Sequence, residues 1–587
     1  MSKILLDVHY GSKLVSLKVK KGMDIFTALN EAKTLPPTPC GGKGKCGKCI
    51  VYCYPAKSFS SLTKSENEQL SSEKIKNGAR LACQARIIED GEVHIVTQKE
   101  YGIVEIGKNF TIDKFDPFVR TEHISLSGKI TETDLETEIK KALKFNEIDF
   151  SRVSCGSGSL KKEIAVKLKG KAVISVLNDN YRSSIGVTVD LGTTTIVVAL
   201  LDLETGKIIS SRSCLNPQQS FGADVISRIS HIISDEKGLS ELNRRVIDCI
   251  NDLVEKSIEE SKIGEYSIDQ YIISGNTTMI HILFSLPVKT IAQSPYVPFT
   301  NSGLKRLAPS IGLVGESYTE VYSVPSISAF VGGDIVSGIL ASRLSEIPYS
   351  MLVDLGTNGE LVYACKDKIF CCSTAAGPAF EGANISCGTG NVSGAIYEVH
   401  IRKNDIKLHT INNSKPSGIC GTGIISLVAE LIRNHIIDRT GSFSIESCNS
   451  DNIKDKFDPT KKRLYLTNDI FISQKDIRNF QLAKAAIRTG YNRLVKLAKN
   501  INPHLVLIAG GFGANLNSED VFTTGMIPEQ AENKLIPAGN TSLEGAIKLM
   551  FDRNYLRATH DIIRNSAHFY LSSMKNFQKE YIDNLNF

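Results

Sequence analysis

The chain has no run of about 18 consecutive apolar residues, the length a helix needs to cross a bilayer, so no membrane association is expected. Its opening, Met1-Ser2-Lys3-Ile4-Leu5-Leu6-Asp7, is too short in apolar residues and too soon charged for a secretory signal. The phosphate loop GxxxxGK[ST] is also missing, which excludes a P-loop ATPase. No cysteine follows Cys448, so the last part of the chain has no thiolate to offer a metal centre. The 14 cysteines are sparse for 587 residues and mostly sit singly in apolar segments, which favours a reducing compartment and a cytoplasmic protein. Hydrophobic content of 42% and charged content of 22% are those of an ordinary soluble protein, and the length implies several domains. Residues 1–100 carry 16 Lys and Arg against 10 Asp and Glu, an excess equal to the whole-chain net charge of +6. The remainder is balanced, and no nucleic-acid partner is expected.

The most informative stretch is Pro39-Cys40-Gly41-Gly42-Lys43-Gly44-Lys45-Cys46-Gly47-Lys48-Cys49. It spaces three thiols as C-x5-C-x2-C, and Arg80-Leu81-Ala82-Cys83-Gln84 supplies a fourth. One glycine-rich loop that aims backbone N–H groups inward, plus one distant thiolate, suits a [2Fe–2S] cluster with Cys40, Cys46, Cys49 and Cys83 as ligands. Zinc is the rival, because Cys46-x2-Cys49 alone would serve it, but Cys83 has no close partner. Cys53 reads as a small buried hydrophobe on the strand Ile50–Cys53. Lys43, Lys45 and Lys48 make the loop cationic, which is either plain solvated surface or a rim that steers an acidic partner.

Around this loop, residues 3–20 alternate as a hairpin turned at Gly11-Ser12, and Asp24 to Ala32 suits a short helix. Thr63-Lys64-Ser65-Glu66 is a capping box, and Asp90-Gly91 is expected to turn another hairpin ending near Val96. A β-grasp ferredoxin domain over residues 1–98 follows. Residues 99–120 read as a linker. Residues 121–182 read as a small α/β middle domain with a helix from Thr133 to Phe145 and strands at Ile164–Val166 and Val173–Val176. Cys155 reads as a loop cysteine.

From residue 183 the texture changes. The run Ile185–Thr195 ends a buried strand in Asp190-Leu191-Gly192-Thr193-Thr194, and Ile196–Asp202 returns. A carboxylate beside a Gly/Thr turn can hold Mg²⁺ through water while hydroxyl and N–H groups face phosphates. Met351–Tyr363 repeats the pattern as Asp354-Leu355-Gly356-Thr357-Asn358, which implies a duplicated fold with phosphates between facing lobes. Leu505–Asn515 is an apolar strand ending in Gly510, Gly511 and Gly513, where a nucleoside can approach the backbone; Tyr271–Thr278 is a similar strand-to-helix junction. Further glycine-rich runs should line the cleft: Gly222–Arg228, Val331–Asp334, Ala376–Gly382 with Gly377, and Gly418–Gly423 with Gly421. Asp224 and Asp334 are candidates for contacts to Mg²⁺ or the attacking water, or alternatively carboxylates complementing helix dipoles. Cys387 and Cys420 in these loops read as packing residues.

These motifs together resemble the superfamily of acetate and sugar kinases, Hsp70 and actin, with phosphate motifs at Asp190–Thr194 and Asp354–Asn358 and an adenosine motif at Gly510–Gly513. The combination with a [2Fe–2S] domain resembles the reductive activators of corrinoid-dependent proteins over nearly the whole chain. Phrases that carry the likeness are Arg80–Gln84, Gly222–Arg228, Gly275–Met279, Ala376–Gly382, Asp476-Ile477-Arg478 with Gln481–Lys484, and Gly539–Ser542. The resemblance implies a multidomain α+β and α/β protein whose residues 183–587 form one duplicated actin-like ATPase. It also implies ATP-dependent return of a Co(II) corrinoid protein to Co(I) for a methyltransferase system, with ATP, Mg²⁺ and the cluster as cofactors. A low-potential flavoprotein or ferredoxin as electron donor, and a homodimer, are further expectations from the family. A sugar or acid kinase, a radical-dehydratase activator and a redox sensor that binds ATP without turnover are the alternatives.

Overall fold

A computed structural model describes residues 3–10, 13–32, 34, 36, 38, 42, 44, 47–70, 72–95, 102–103, 111–112, 114–126, 132–144, 149–150, 153–155, 162–178, 183–382, 384–402, 405–447, 451–511, 516–531 and 534–587. Cys40, Lys43, Lys45, Cys46 and Gly513 lie outside the described residues.

At the front, the alternating residues form the antiparallel pair Lys3–Tyr10 and Lys13–Lys20, burying Ile4, Leu6 and Val8 on one face. The helix Ile25–Glu31 follows, capped by Asp24, and Ile25, Ala28 and Leu29 turn inwards. The expected capping box opens the helix Lys64–Gln69. Gly91–Ile95, expected as one arm of a hairpin, instead enters the middle of the sheet. It runs parallel to Lys3–Tyr10 and antiparallel to Ile50–Tyr54. Its backbone hydrogen-bonds to a strand on each side, whereas a local hairpin would supply only one partner. Strand order is Lys13–Lys20, Lys3–Tyr10, Gly91–Ile95, Ile50–Tyr54, Ala79–Leu81, a β-grasp sheet.

The middle part is a four-stranded sheet in the order Arg120–Ser125, Glu163–Lys169, Ala172–Asn178, Ser154–Cys155, with the helix Glu132–Leu143. Lys167 is buried in it and reaches Asp269 of the next sheet at 2.8 Å. The described parts of the segment expected as a linker are built into the rear of the molecule. Gly102–Ile103 pairs with the strand Ile208–Leu215, and Phe118 and Val119 join a core that also holds Leu549 and Met550.

The rear part repeats one five-strand pattern. In the first half the order is Glu320–Ser323, Tyr266–Gly275, Ser183–Leu191, Thr195–Asp202, Ile208–Leu215. In the second it is Leu535–Gly539, Leu505–Gly510, Ser350–Leu355, Gly359–Ala364, Ile369–Thr374. In both, the first three strands are parallel and the last two fold back antiparallel, as duplication requires. The strands ending at Leu191 and Leu355 are buried along nearly their whole length because both faces are covered. Between the halves the helices Gly333–Ala341 and Thr541–Phe551 cross. A Cβ on Gly545 would lie 2.1 Å from the Ser337 carbonyl oxygen, so only glycine permits this approach. Among the described residues no helix is long and apolar enough to cross a membrane.

Candidate functional site

The turn Gly192–Thr194, expected from the sequence to take phosphate, is held from behind by its carbonyls. Asn216 donates from Nδ2 to the Gly192 oxygen at 2.8 Å, and Arg228 donates to the Thr193 oxygen. The Thr194 oxygen accepts from the Asn216 backbone N–H at 2.8 Å and from Gln219 Nε2 at 3.0 Å. In planar trans peptides the N–H that follows each of these carbonyls points the opposite way. Arg228 is fully buried, and burial pushes its pKa down to about 9, eased by Asp224 and Glu381. Asn276, capping the helix Thr277–Leu283, donates to Thr193 Oγ1 at 2.8 Å.

The second turn faces the first at contact distance. Thr194 Oγ1 and Thr357 Oγ1 lie 2.8 Å apart, and both donate to one oxygen of Glu381, at 2.8 and 2.6 Å. The two expected phosphate turns are therefore brought together across 163 residues of sequence. A carboxylate accepting hydroxyl protons between them occupies the kind of position an anionic phosphate oxygen would take.

Around this contact stand further carboxylates, each with part of its surface open. Asp190 accepts from Ser542 Oγ at 2.7 Å and Asn540 Nδ2 at 2.9 Å, both at the start of the helix Thr541–Phe551 from the other half. Burial raises the Asp190 pKa despite these bonds. Burial pushes Asp334 up to about 7, with Asp190 adding repulsion. Asp354 is pushed up to about 8 by burial and then by Asp334, Asp190 and Glu381. Glu360, hydrogen-bonded by Ser373 at 3.1 Å, is raised well above the usual range by burial and then by Asp334 and Asp354. Asp334, Asp354 and Glu360 are each raised by burial and then by neighbouring carboxylates, and a hydrated divalent cation placed among them would relieve that repulsion. Asp224 does a different job. It is exposed and caps the helix Val225–Ser234, accepting from the Ser227 N–H at 2.7 Å.

The glycine-rich loops make one rim. Gly377 has φ 73° and Gly510 φ 128°, conformations that L side chains rarely take. A Cβ on Gly377 or Gly511 would meet nothing within 4 Å, so the backbone there is open to a ligand. Asn391 donates to the Gly511 carbonyl, and the Thr389 N–H donates to Ile419, two residues before Gly421. Gly421 opens the helix Gly421–Arg433, with Cys420 buried beside it.

In the front domain Cys49 Sγ and Cys83 Sγ lie 3.4 Å apart. Two thiolates on one tetrahedral metal with ~2.3 Å bonds stand about 3.8 Å apart, so this pair fits a shared iron. Gln84 Nε2 lies 3.7 Å from Cys83 Sγ, and Ser65 Oγ holds the loop by the Gly44 carbonyl at 2.6 Å. Cys53 is buried in the sheet core, and burial pushes its thiol up to about 12, as befits packing. Lys48 donates to the Gly388 carbonyl of the rear rim at 2.6 Å, so this lysine of the cationic loop has a partner inside the chain.

Glu381, Glu360, Arg228, Asn216, Asn276, Asn540 and Ser542 join the site without having been singled out from the sequence. Glu381, Arg228, Asn276, Asn540 and Ser542 sit inside the phrases that carry the family likeness, which was the available signal.

Comparison with known proteins agrees with this architecture. The family model for the "C-terminal domain of RACo the ASKHA domain" matches residues 348–587, and "RACo middle region" matches 185–347. The model for a "2Fe-2S iron-sulfur cluster binding domain" matches residues 8–87. The chain is similar to "Corrinoid activation enzyme RamQ" of Eubacterium limosum, 27% identical over 93% of each chain. It is also similar to "[Co(II) methylated amine-specific corrinoid protein] reductase" of Methanosarcina barkeri, 24% identical over 68% of this chain and 77% of that one. A solved structure titled "Reductive activator for corrinoid,iron-sulfur protein" superposes with a TM-score of 0.74 at 27% identity, covering 99% of this chain and 98% of that one. With a ferredoxin-type domain ahead of two contiguous RACo regions, the chain belongs to the RACo family of reductive activators.

Proposed function

We propose that this protein uses ATP to drive a one-electron reduction of a Co(II) corrinoid protein to Co(I), restoring it for methyl transfer. The observation that carries the reading is the pair of threonine turns meeting at Glu381 inside a ring of carboxylates, fused to a domain that brings Cys49 and Cys83 within 3.4 Å.

Cys40, Cys46, Cys49 and Cys83 would hold the [2Fe–2S] cluster, which supplies a single electron at a potential near about −400 mV. Co(I) in a corrinoid is a stronger reductant, and each ~59 mV uphill costs about tenfold in equilibrium constant. ATP offsets this only by binding the nucleotide-closed and open states with different affinity. Gly192, Thr193, Thr194, Gly356, Thr357 and Asn358 would take the phosphates. Gly377, Gly421, Gly510, Gly511 and Gly513 would take the nucleoside. Asp190 and Asp354, with Asp334 between them electrostatically, would hold Mg²⁺ through water. Asp224 serves as the cap of the helix that carries Arg228. Phosphate entering between the turns has to displace Glu381, and Glu381 shares its loop with Gly388, the acceptor of Lys48. Nucleotide binding thereby bears on the seating of the cluster domain.

We place the domains at 1–98, 121–182 and 183–587, with 99–120 between the first two. The corrinoid partner belongs to a methyltransferase system, the donor is a low-potential flavoprotein or ferredoxin, and the assembly is a cytoplasmic homodimer. The test mixes purified protein, a low-potential reductant and a Co(II) corrinoid protein, with and without MgATP, and follows the Co(I) absorption band. Asp190→Ala and Asp354→Ala should each lower ATPase and ATP-dependent reduction by about 100-fold or more while the cluster spectrum survives. Unchanged ATPase, or Co(I) formation that ignores ATP, refutes the assignment.

A further inference from the structure

The first half of the cleft carries a second pair of thiols, separate from the cluster. Cys214 lies near the end of the strand Ile208–Leu215, and Cys249 lies on the helix Gly238–Ser261 packed against it. Their Sγ atoms are 3.0 Å apart, and both side chains are partly exposed. A disulfide bond is about 2.05 Å long, so the two sulfurs need to close by only ~1 Å. The surroundings make that movement matter. Two residues after Cys214, Asn216 makes the hydrogen bonds to Gly192 and Thr194 that orient the first phosphate turn. Gln218 donates to the Leu242 carbonyl on the same helix as Cys249, at 2.9 Å, and Gln219 donates to Thr194. The strand end, the helix and the turn are thus one hydrogen-bonded unit.

We propose that Cys214 and Cys249 form a reversible redox site: oxidised to a disulfide by thiol–disulfide exchange, they misplace the Gly192–Thr194 turn and weaken nucleotide binding. In the exchange, one protein thiolate attacks a sulfur of a low-molecular-weight disulfide and breaks its S–S bond. A small thiolate leaves, and a mixed disulfide remains. The second protein thiolate then attacks the protein-bound sulfur and expels the other small thiolate. Two protein thiols have become one disulfide, and the small disulfide has taken up the two electrons and two protons as two thiols. A corrinoid held at Co(I) is useful only under reducing conditions, so such a site halts nucleotide consumption when the surrounding thiol pool becomes oxidised.

The consequence for nucleotide rests on the ATP-cleft reading; formation of the bond does not. The full-length holoprotein is incubated anaerobically with glutathione disulfide, and a cross-linked Cys214–Cys249 peptide is sought by mass spectrometry. Affinity for a Mg²⁺-bound non-hydrolysable ATP analogue is measured before and after. The cross-link should form in the wild type, vanish in dithiothreitol, and be absent from Cys214→Ser and Cys249→Ser. Affinity should fall about tenfold or more in the oxidised wild type, within the ~100-fold that a 1 Å misplacement can cost, and stay constant in either variant. No cross-link under excess glutathione disulfide overturns the proposal, as does a cross-link that leaves affinity within about twofold, or a Cys214→Ser protein that remains oxidant-sensitive. If the reduced wild type bound no nucleotide, the ATP reading would fall, and the presence or absence of the cross-linked peptide would still decide whether the dithiol is a redox site.

Discussion

Removing the Glu381 carboxylate should tighten nucleotide binding, although it is a charged group held between the two threonine turns. Glu381 accepts from Thr194 at 2.8 Å and Thr357 at 2.6 Å. A hydrogen bond to a charged group nets about 1.5–3 kcal/mol, so the clasp is worth about 3–6 kcal/mol before its costs. Burial raises the Glu381 pKa, which means the anion is held there against a desolvation penalty, and it repels Asp354 and Glu360. A net of about 1–3 kcal/mol remains as the work a phosphate must do to enter, a factor of roughly 5 to 150 in affinity. Glu381→Ala should therefore lower the dissociation constant of a Mg²⁺-bound non-hydrolysable ATP analogue by about tenfold, measured by calorimetry. The two threonine hydroxyls, left with each other, give way more easily to the ligand. If Glu381→Ala binds the analogue as weakly as the wild type or more weakly, the carboxylate is a ligand of the nucleotide or its metal, and the displacement argument fails.

Three more outcomes follow from particular contacts. Cys83→Ala, which leaves no ligand atom at this position, should abolish the visible spectrum of the front cluster; a surviving spectrum would remove Cys83 from the ligand set. Lys167→Ala leaves Asp269 buried without its cation, and breaking such a pair costs about 3–5 kcal/mol, readable as a lowered denaturation midpoint by circular dichroism. An unchanged midpoint would show that the middle sheet is not tied to the first half through this pair. Lys484 is buried, and burial with help from Arg488 pushes its pKa down to about 8 from 10.5. Between those values the unfolded chain keeps a proton that the folded chain has released, so stability should rise as pH climbs from 8 towards 10.5. Lys484→Met should be more stable than the wild type below pH 8, by up to about 3 kcal/mol, and the difference should shrink as pH rises. A gap independent of pH would refute this.

What the sequence determined alone is what depends on local spacing. The strand alternation of residues 3–20, the caps at Asp24 and Thr63, and the strand–turn–strand pattern at Asp190 and Asp354 each follow from chain neighbours. The repeat of that pattern was enough to imply two facing halves. The C-x5-C-x2-C loop with Cys83 likewise pointed to its chemistry without coordinates. Only the tertiary structure could separate Asp334 from Asp224, two carboxylates beside helix starts in similar glycine-rich runs: one is enclosed among other acids, the other caps in solvent. Only it could place Gly91–Ile95 between two strands, because pairing partners far along the chain leave no periodic signal. The same holds for Glu381, whose role comes from touching Thr194 and Thr357, 187 and 24 residues away. Local patterns specify what a segment can become; which charges meet is decided by the crossing of the two halves, a property of packing that no single segment contains.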